Sequence, residues 1–468
     1  MARIVGAPKV ATGLSEAREA TGAIAEPRIA RVCDANSGRE MHSISRFFCE
    51  AKSHPKNKNL KPDIYPTNYF IMSLPCKKIF FILHLHLIFF NNHDIITINC
   101  YIFIKKQLLN LKNIIRVYIF LLNIICEDSM NLEKGINFGG WLSQCIHTKE
   151  HYDFFITKED VIKVSELGFD HIRLPFDYEV IQNKDGSFIE EGFARLYDFV
   201  QECSQNNLNV VLDLHKACGY DFNDAGTEKG NSLFDSSELQ KMFISLWDQI
   251  SKRFANCQNV AFELLNEVVE QNAADAWNKL IAQTVTVIRK NAPKTPVIYG
   301  GIQWNSASTL KFLEKPVDEN IIWTFHEYEP LIFTHQKAPW VPGMDLNKQI
   351  KYPAKMSYFR EESIPLGYKG KDVTDITDNY DGNYILQKLI SEAVEVAEKN
   401  NVKLYCGEYG VIDRAPATDT LAWFKDIHQE FTKFHINHAV WTYKKMDFGI
   451  TDEHYKDIFN DLVQLMTK

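Results

Sequence analysis

The chain has 468 residues, of which 45% are hydrophobic and 24% are charged, a balance that is normal for a soluble globular protein. The charge is uneven: residues 1–129 hold 17 Lys+Arg and 10 Asp+Glu, a net of +7. Subtraction from the totals of 52 and 60 leaves 35 and 50, a net of −15, for residues 130–468. Such an acidic region is a poor candidate for binding nucleic acid.

Residues 1–129 differ in composition from the remainder. No glycine lies between Gly38 and Gly135, and residues 60–126 are dominated by Ile, Phe, Leu, Asn, Lys and Tyr. The longest apolar run contains His84 and His86 and is shorter than the roughly 20 residues of a membrane-spanning helix. No clean signal peptide is visible. We therefore predict no membrane span and an unstructured extension outside the fold, typical of translated upstream sequence before a start at Met130. An unusual anchor or targeting segment is the alternative.

Short apolar segments alternate with longer amphipathic ones after Met130. Helical spacing is found at about 192–206, 236–255, 273–291, 383–400, 418–434 and 453–467. Thr157 with Asp160 resembles a capping box that opens the first helix. Residues 327–382, rich in Pro, Gly and aromatic residues, are predicted to form a loop insertion. The eight predicted strands are 135–140, 171–175, 209–215, 260–266, 297–301, 321–326, 403–408 and 439–444.

Eight strands alternating with helices predict an α/β fold, a (β/α)8 TIM barrel over residues 130–468. Buried parallel strands are near-continuous apolar runs, as these are. The active site of such a barrel lies at the carboxyl ends of its strands. Polar residues and one tryptophan occur where the predicted strands end, and we expect them to share one pocket: Arg173, His215, Asn266, Glu267, His326, Tyr328, Glu408 and Trp441.

Two carboxylates in one cleft can hydrolyse a glycosidic bond, one as proton donor and one as nucleophile or base. Apolar surroundings should raise the pKa of Glu267, which suits a proton donor. We expect Arg173 to keep Glu408 ionised. Asn266 can hydrogen-bond the sugar 2-hydroxyl, and Trp441, with Trp304 and Trp340, offers a flat face for sugar rings. Each residue alone also has a structural explanation, but their joint occurrence at successive strand ends favours catalysis.

The motifs GINFGGW, GFDHIRLPFDY, VVLDLH, FELLNEV, TFHEYEP, LYCGEYGV and VWTYKKMDFGI resemble those of glycoside hydrolase family 5, the old cellulase family A. They are most similar to clostridial-type endoglucanases that cleave β-1,4-glucans and mixed-linkage β-glucan. The resemblance covers residues 130–468 and none of residues 1–129. It implies a retaining mechanism with Glu267 as proton donor and Glu408 as nucleophile. The substrate-binding residues that it implies are Arg173, His215, Asn266, His326, Tyr328 and Trp441.

Three positions depart from the family pattern. Val268 replaces the usual proline after the proton donor, which is tolerable because proline takes no part in the chemistry. Lys216 stands where a second histidine is common, and GGIQWNS lacks an asparagine sometimes found after the glycine pair. The last two leave the choice between cellulose, mixed-linkage glucan and mannan open.

Other functions remain as alternatives. One is a β-mannanase or β-1,3-glucanase of the same family, and another is a non-catalytic carbohydrate-binding barrel. A metal-dependent or phosphate-binding barrel would need clustered ligands or a glycine-rich phosphate loop, and the sequence offers neither. We therefore predict no cofactor and no metal, a β-glucan polysaccharide or oligosaccharide as substrate, and a monomer. An extracellular location is expected from the substrate class alone, but no clean signal peptide is visible, so the sequence leaves the compartment open.

Overall fold

The computed structural model describes residues 130–224 and 230–468. Eight parallel strands form a closed barrel in sequence order, with β1 paired to both β2 and β8. This confirms the predicted (β/α)8 barrel, and each predicted strand is present. The strands are β1 Lys134–Asn137, β2 His171–Asp177, β3 Asn209–Lys216, β4 Val260–Glu263, β5 Val297–Gly300, β6 Ile321–Glu327, β7 Lys403–Tyr409 and β8 Asn437–Val440.

Helices surround the barrel, and the capping box at Thr157 is confirmed, because its N–H donates to Asp160 at 2.9 Å where α2 begins. In the described ranges, β5 is followed by a 3₁₀ turn, Ala307–Phe312, instead of an α-helix. The helices are α1 Lys149–Phe154, α2 Lys158–Glu166, α3 Glu190–Gln205, α4 Ser237–Phe254, α5 Ala274–Asn291, α6 Leu331–Thr334, α7 Met356–Ser363, α8 Lys371–Thr374, α9 Tyr384–Asn400, α10 Ala417–Phe434 and α11 Phe459–Thr467.

The insertion between β6 and α9 is more ordered than a loop. It contains α6, α7 and α8 and a 3₁₀ segment, Ile364–Gly370. Tyr352 ties it to α10, since its N–H donates to Asp419 at 3.0 Å and its hydroxyl to Asp426 at 2.7 Å. The predicted insertion is therefore present between β6 and α9, and it contains short helices as well as turns.

The interior of the barrel changes from apolar to polar along β3 and β4. Side chains alternate between the two faces of a strand, so every second residue points inward. On β3 the inward series is Val211, Asp213 and His215, and on β4 it is Ala261 and Glu263, which pair with the first two in register. The apolar end fills the base of the barrel, and the charged end opens at the carboxyl ends of the strands.

Three tryptophans on the outer helices fix the loops that follow the strands. Trp247 donates to Leu264 O at 3.1 Å, Trp277 to Gly300 O at 2.9 Å, and Trp423 to Glu329 O at 2.9 Å. All three side chains are fully buried. A buried indole N–H requires an acceptor, so each bond sets the position of one loop against the helix behind it.

In residues 130–224 and 230–468, no helix combines the length and apolarity that crossing a bilayer requires. The predicted extension 1–129 and its apolar runs lie outside the described residues.

Candidate active site

The structure brings together all eight residues that the sequence places at strand ends. Hydrogen bonds and ring contacts link them into one network at the carboxyl ends of the strands. His215, His326 and Glu408 are the penultimate residues of β3, β6 and β7. Tyr328 directly follows β6, and Trp441 directly follows β8.

Three residues are not where the predicted strands put them. Arg173 is the third residue of β2, inside the barrel, and its side chain is 0% exposed. β4 ends at Glu263, so Asn266 and Glu267 lie in the following loop rather than on the strand. The apolar run continues past the strand because Leu264 and Leu265 remain buried in the loop.

The Arg173 guanidinium organises the base of the site. It forms a two-pronged ion pair with Glu263, with Nε–Oε2 at 2.7 Å and Nη2–Oε1 at 3.0 Å. Nη1 donates to Asn137 at 2.9 Å and to Glu408 Oε1 at 2.7 Å. Nη2 also donates to Asn266 Oδ1 at 2.8 Å. All five guanidinium N–H groups are thereby used, so the ring of acceptors around Arg173 is fixed in geometry.

The Glu408 carboxylate is held by one donor on each oxygen. Arg173 occupies Oε1, and the Tyr328 hydroxyl donates to Oε2 at 3.0 Å. Burial and the neighbouring Glu408 carboxylate raise the pKa of Tyr328 well above its ordinary value, so the phenol remains a donor. This orientation and the adjacent positive charge suit a nucleophilic carboxylate.

Glu267 has the environment of a proton donor. Desolvation by burial raises its pKa to about 7, although the nearby charges of His215, Arg173 and Lys369 act in the opposite direction. His326 Nδ1 lies 2.7 Å from Glu267 Oε1 and 3.7 Å from Glu408 Oε2, between the two carboxyl groups. Burial lowers the pKa of His326 to about 4, so at neutral pH it is an uncharged hydrogen-bonding group.

His215 and Trp441 lie against each other in the same network. Their rings are stacked at 4° with centroids 5.8 Å apart. His215 Nδ1 lies 2.6 Å from Asp213 Oδ2, and the Gln144 amide nitrogen is 3.2 Å from Nε2. Burial lowers the pKa of His215 to about 4. Gly139 must lack a side chain here, because a Cβ would lie 2.8 Å from the Trp441 ring.

The other two candidate sugar platforms differ in exposure. Trp340, in the insertion, is 50% exposed. The Arg414 guanidinium carbon lies over the Trp340 ring, 5.7 Å from the centre of that ring. Trp304 is half-buried in the loop after β5, and its backbone N–H donates to the carbonyl oxygen of Val268 at 3.1 Å. Trp304 is therefore attached to the segment that carries Glu267.

Two groups of side chains in the described ranges place three metal-ligand atoms within 4.8 Å of one another. One comprises His147, Asp177 and Glu179, but both ring nitrogens of His147 are already within hydrogen-bond distance of Tyr152 and Asp177. The other is Glu267, His326 and Glu408 themselves. The same closeness is what two carboxyl groups acting on one bond require, and it needs no ion to explain it.

The sequence analysis did not single out the groups that position Arg173. Asn137, Asp213 and Glu263 are all 0% exposed, and burial raises the pKa of Asp213 to about 7. A signal existed: Asp213 and Glu263 interrupt apolar strands, and Asp213 lies two residues before His215, on the same face of β3. Lys369 and Gln144 carried no comparable signal, because neither lies on a barrel strand.

The comparisons with known proteins agree with this geometry. Residues 133–447 match the family model described as Cellulase (glycosyl hydrolase family 5). The chain is 38% identical to Endoglucanase C of Acetivibrio thermocellus over 344 residues, covering 72% of this chain and 99% of that protein. It is 38% identical to Cellodextrinase A of Ruminococcus flavefaciens over 310 residues, 66% of this chain and 84% of that one. Endoglucanase Cel5A from Thermotoga maritima superposes with a TM-score of 0.56 at 26% identity, over 72% of this chain and 97% of that one.

Proposed function

Because the chain belongs to glycosyl hydrolase family 5, we propose that its eight clustered residues hydrolyse internal β-1,4 bonds of β-glucans with retention of configuration. The chain is a glycoside hydrolase of the endoglucanase type, and its substrate is a polysaccharide. Cellulose-type and mixed-linkage glucans are the proposed substrates, and a monomer is the proposed form, since one chain supplies the whole network.

The distance between the two glutamates supports a retaining rather than an inverting mechanism. One oxygen of Glu267 and one of Glu408 lie within 4.8 Å of each other. Retaining glycosidases hold their carboxyl groups roughly 5–5.5 Å apart, whereas inverting enzymes need about 6.5–9.5 Å to admit a water. The short spacing supports direct attack by one of the carboxylates.

The proposed reaction has two steps. Glu267 gives its proton to the glycosidic oxygen while Glu408 attacks the anomeric carbon and forms a glycosyl ester. Glu267, now a carboxylate, then takes a proton from water, which displaces Glu408 from the opposite face. Asn266 directs its amide donors at the 2-hydroxyl of the sugar, because Arg173 already occupies its oxygen. A bond there strengthens in the transition state.

Substrate class and stereochemistry can be tested together. The chain should release sugar from carboxymethylcellulose and mixed-linkage glucan faster than from mannan or a β-1,3-glucan. NMR of the first product from a cello-oligosaccharide should show the β-anomer before mutarotation. Faster cleavage of mannan or β-1,3-glucan would contradict the proposed substrate, and an initial α-anomer would contradict the mechanism.

The roles of the two glutamates are separable by azide. Glu267→Ala should lose roughly 10²–10⁴-fold on natural glucans but still form the ester from an aryl glycoside with a good leaving group. Azide should then accelerate turnover and yield a β-glycosyl azide. Glu408→Gly removes the nucleophile, so azide should instead give the α-product by single displacement. If both variants gave the same anomer, the role assignment would fail.

A further inference from the structure

Lys369 is a cation that the insertion brings to the edge of the site. It lies in the 3₁₀ segment Ile364–Gly370, half-buried, with Nζ 4.2 Å from the centre of the Trp304 ring. Across the two described ranges, no carboxylate lies within 4.0 Å of its ammonium group. A partly desolvated ammonium with no carboxylate in direct contact is costly, and the indole face offsets only part of this cost.

The segment that carries Lys369 is held in one conformation. Gly367 has φ 57° and ψ −123°, a combination that residues with side chains rarely adopt, and it produces a kink within this segment. Gly370 packs so closely that a Cβ would lie 2.5 Å from Ser363 O, and Leu366 is buried. Lys369 is therefore placed by the packing of the insertion rather than by an ion pair of its own.

Backbone hydrogen bonds divide the cleft into two sides. Trp304 N–H donates to the carbonyl of Val268, the residue after Glu267, at 3.1 Å. Trp441 N–H donates to the carbonyl of Tyr409, the residue after Glu408, at 2.9 Å. Each tryptophan is thus hydrogen-bonded to the residue that follows one of the two glutamates. The proton from Glu267 goes to the leaving oxygen, so the side of Trp304 faces the departing part of the glucan.

The proposed function then leads to a role for Lys369. We propose that its ammonium, which lies over the face of the Trp304 ring, donates hydrogen bonds to the hydroxyls of the sugar on the leaving side. The insertion, rather than the barrel, thereby completes the acceptor subsite. The same charge acts on Glu267, whose pKa it lowers, and Lys369 itself has its pKa lowered by burial.

Other groups also face the proton donor and would contribute to any pH effect. They come from β2, β3, β4, β6, β7 and the loops after β3 and β6. These groups are Arg173, Asp213, His215, Tyr220, Glu263, His326, Tyr328 and Glu408. Because they are unchanged in a Lys369 variant, a comparison with the wild type isolates the contribution of the lysine.

Transfer to a sugar acceptor measures the leaving-side subsite directly. A dinitrophenyl β-cellobioside forms the glycosyl ester in the full chain, and added cellobiose competes with water for it. In Lys369→Met, the ratio of transfer to hydrolysis should fall about ten- to a hundredfold, as expected for lost hydrogen bonds from a charged donor. Hydrolysis of the aryl donor itself needs no proton from Glu267 for the departure of its leaving group, so it should change less than this ratio. Lys369→Arg should restore part of the ratio.

Lys371, exposed and two residues away, provides the matched control, and Lys371→Met should leave the ratio unchanged. The loss of kcat/KM on glucan at alkaline pH, which follows the deprotonation of Glu267, should also move to higher pH in Lys369→Met. The reason is that this variant removes a positive charge that lowers the pKa of Glu267. An unchanged ratio would overturn the inference. So would a parallel loss of aryl-donor turnover and transfer with no shift of the alkaline loss of kcat/KM, which is the result of a purely structural role. A wild type that forms no glycosyl ester would overturn the proposed function first.

Discussion

The loss of a proton from Glu267 should determine the pH above which kcat/KM on glucan falls. With a substrate whose leaving group needs no proton, this fall should be absent. The proton donor must be protonated in the free enzyme, and kcat/KM reports the free enzyme. Burial raises the pKa of Glu267 to about 7. Two pH units above that value only about 1% of the enzyme carries the proton, so kcat/KM on glucan should be roughly a hundredfold below its plateau at pH 9.

A dinitrophenyl leaving group needs no proton, so the same enzyme should show no such fall near pH 7 with dinitrophenyl β-cellobioside. The assay is a pair of kcat/KM profiles from pH 5 to 9.5 at constant ionic strength. Samples held at each pH and returned to pH 6 control for inactivation. If both substrates lost activity together around pH 7, the fall would belong to a group other than Glu267.

Four further outcomes are expected. Glu267→Gln should be more stable than the wild type at pH 8 and no more stable at pH 4. The pKa of Glu267 in the native state, about 7, exceeds the ordinary value of 4.5, so between these two values the native wild type binds more protons than the unfolded state. The free energy of unfolding of the wild type therefore falls as the pH rises through this window. The full difference is roughly 3 kcal/mol, and urea unfolding at both pH values would show it; equal pH dependence in the two proteins would refute the argument. Gly139→Ala should displace the Trp441 ring, which would lie 2.8 Å from the new Cβ, and lower kcat/KM on glucan roughly tenfold; an unchanged kcat/KM would contradict this. Prolonged chelation should leave glucan hydrolysis unchanged, because two carboxyl groups and water suffice; loss with EDTA and recovery with a divalent cation would show that a metal takes part. A chain that begins at Met130 should remain folded and fully active, as the family match starts at residue 133; insoluble or inactive protein would show that residues 1–129 are needed.

The sequence determines the barrel and the identity of its polar residues because both depend on local pattern. A strand covered on both faces must be a continuous apolar run, and a polar residue that ends such a run must find a polar environment. The sequence pattern therefore predicts the positions of His215, His326 and Glu408, near the ends of β3, β6 and β7. The same rule misplaced the end of β4, since buried leucines in a loop look like more strand.

Only the tertiary structure decided how these residues act on one another. Arg173 and Glu408 are 235 residues apart in the chain, and their contact depends on the closure and register of the barrel. The same register brings Glu263 against Arg173. The pKa of Glu267 depends on desolvation by segments distant in sequence, and Lys369 reaches the site through the packing of an insertion. Such contacts follow from the relative placement of whole elements, which no local pattern of residue types encodes.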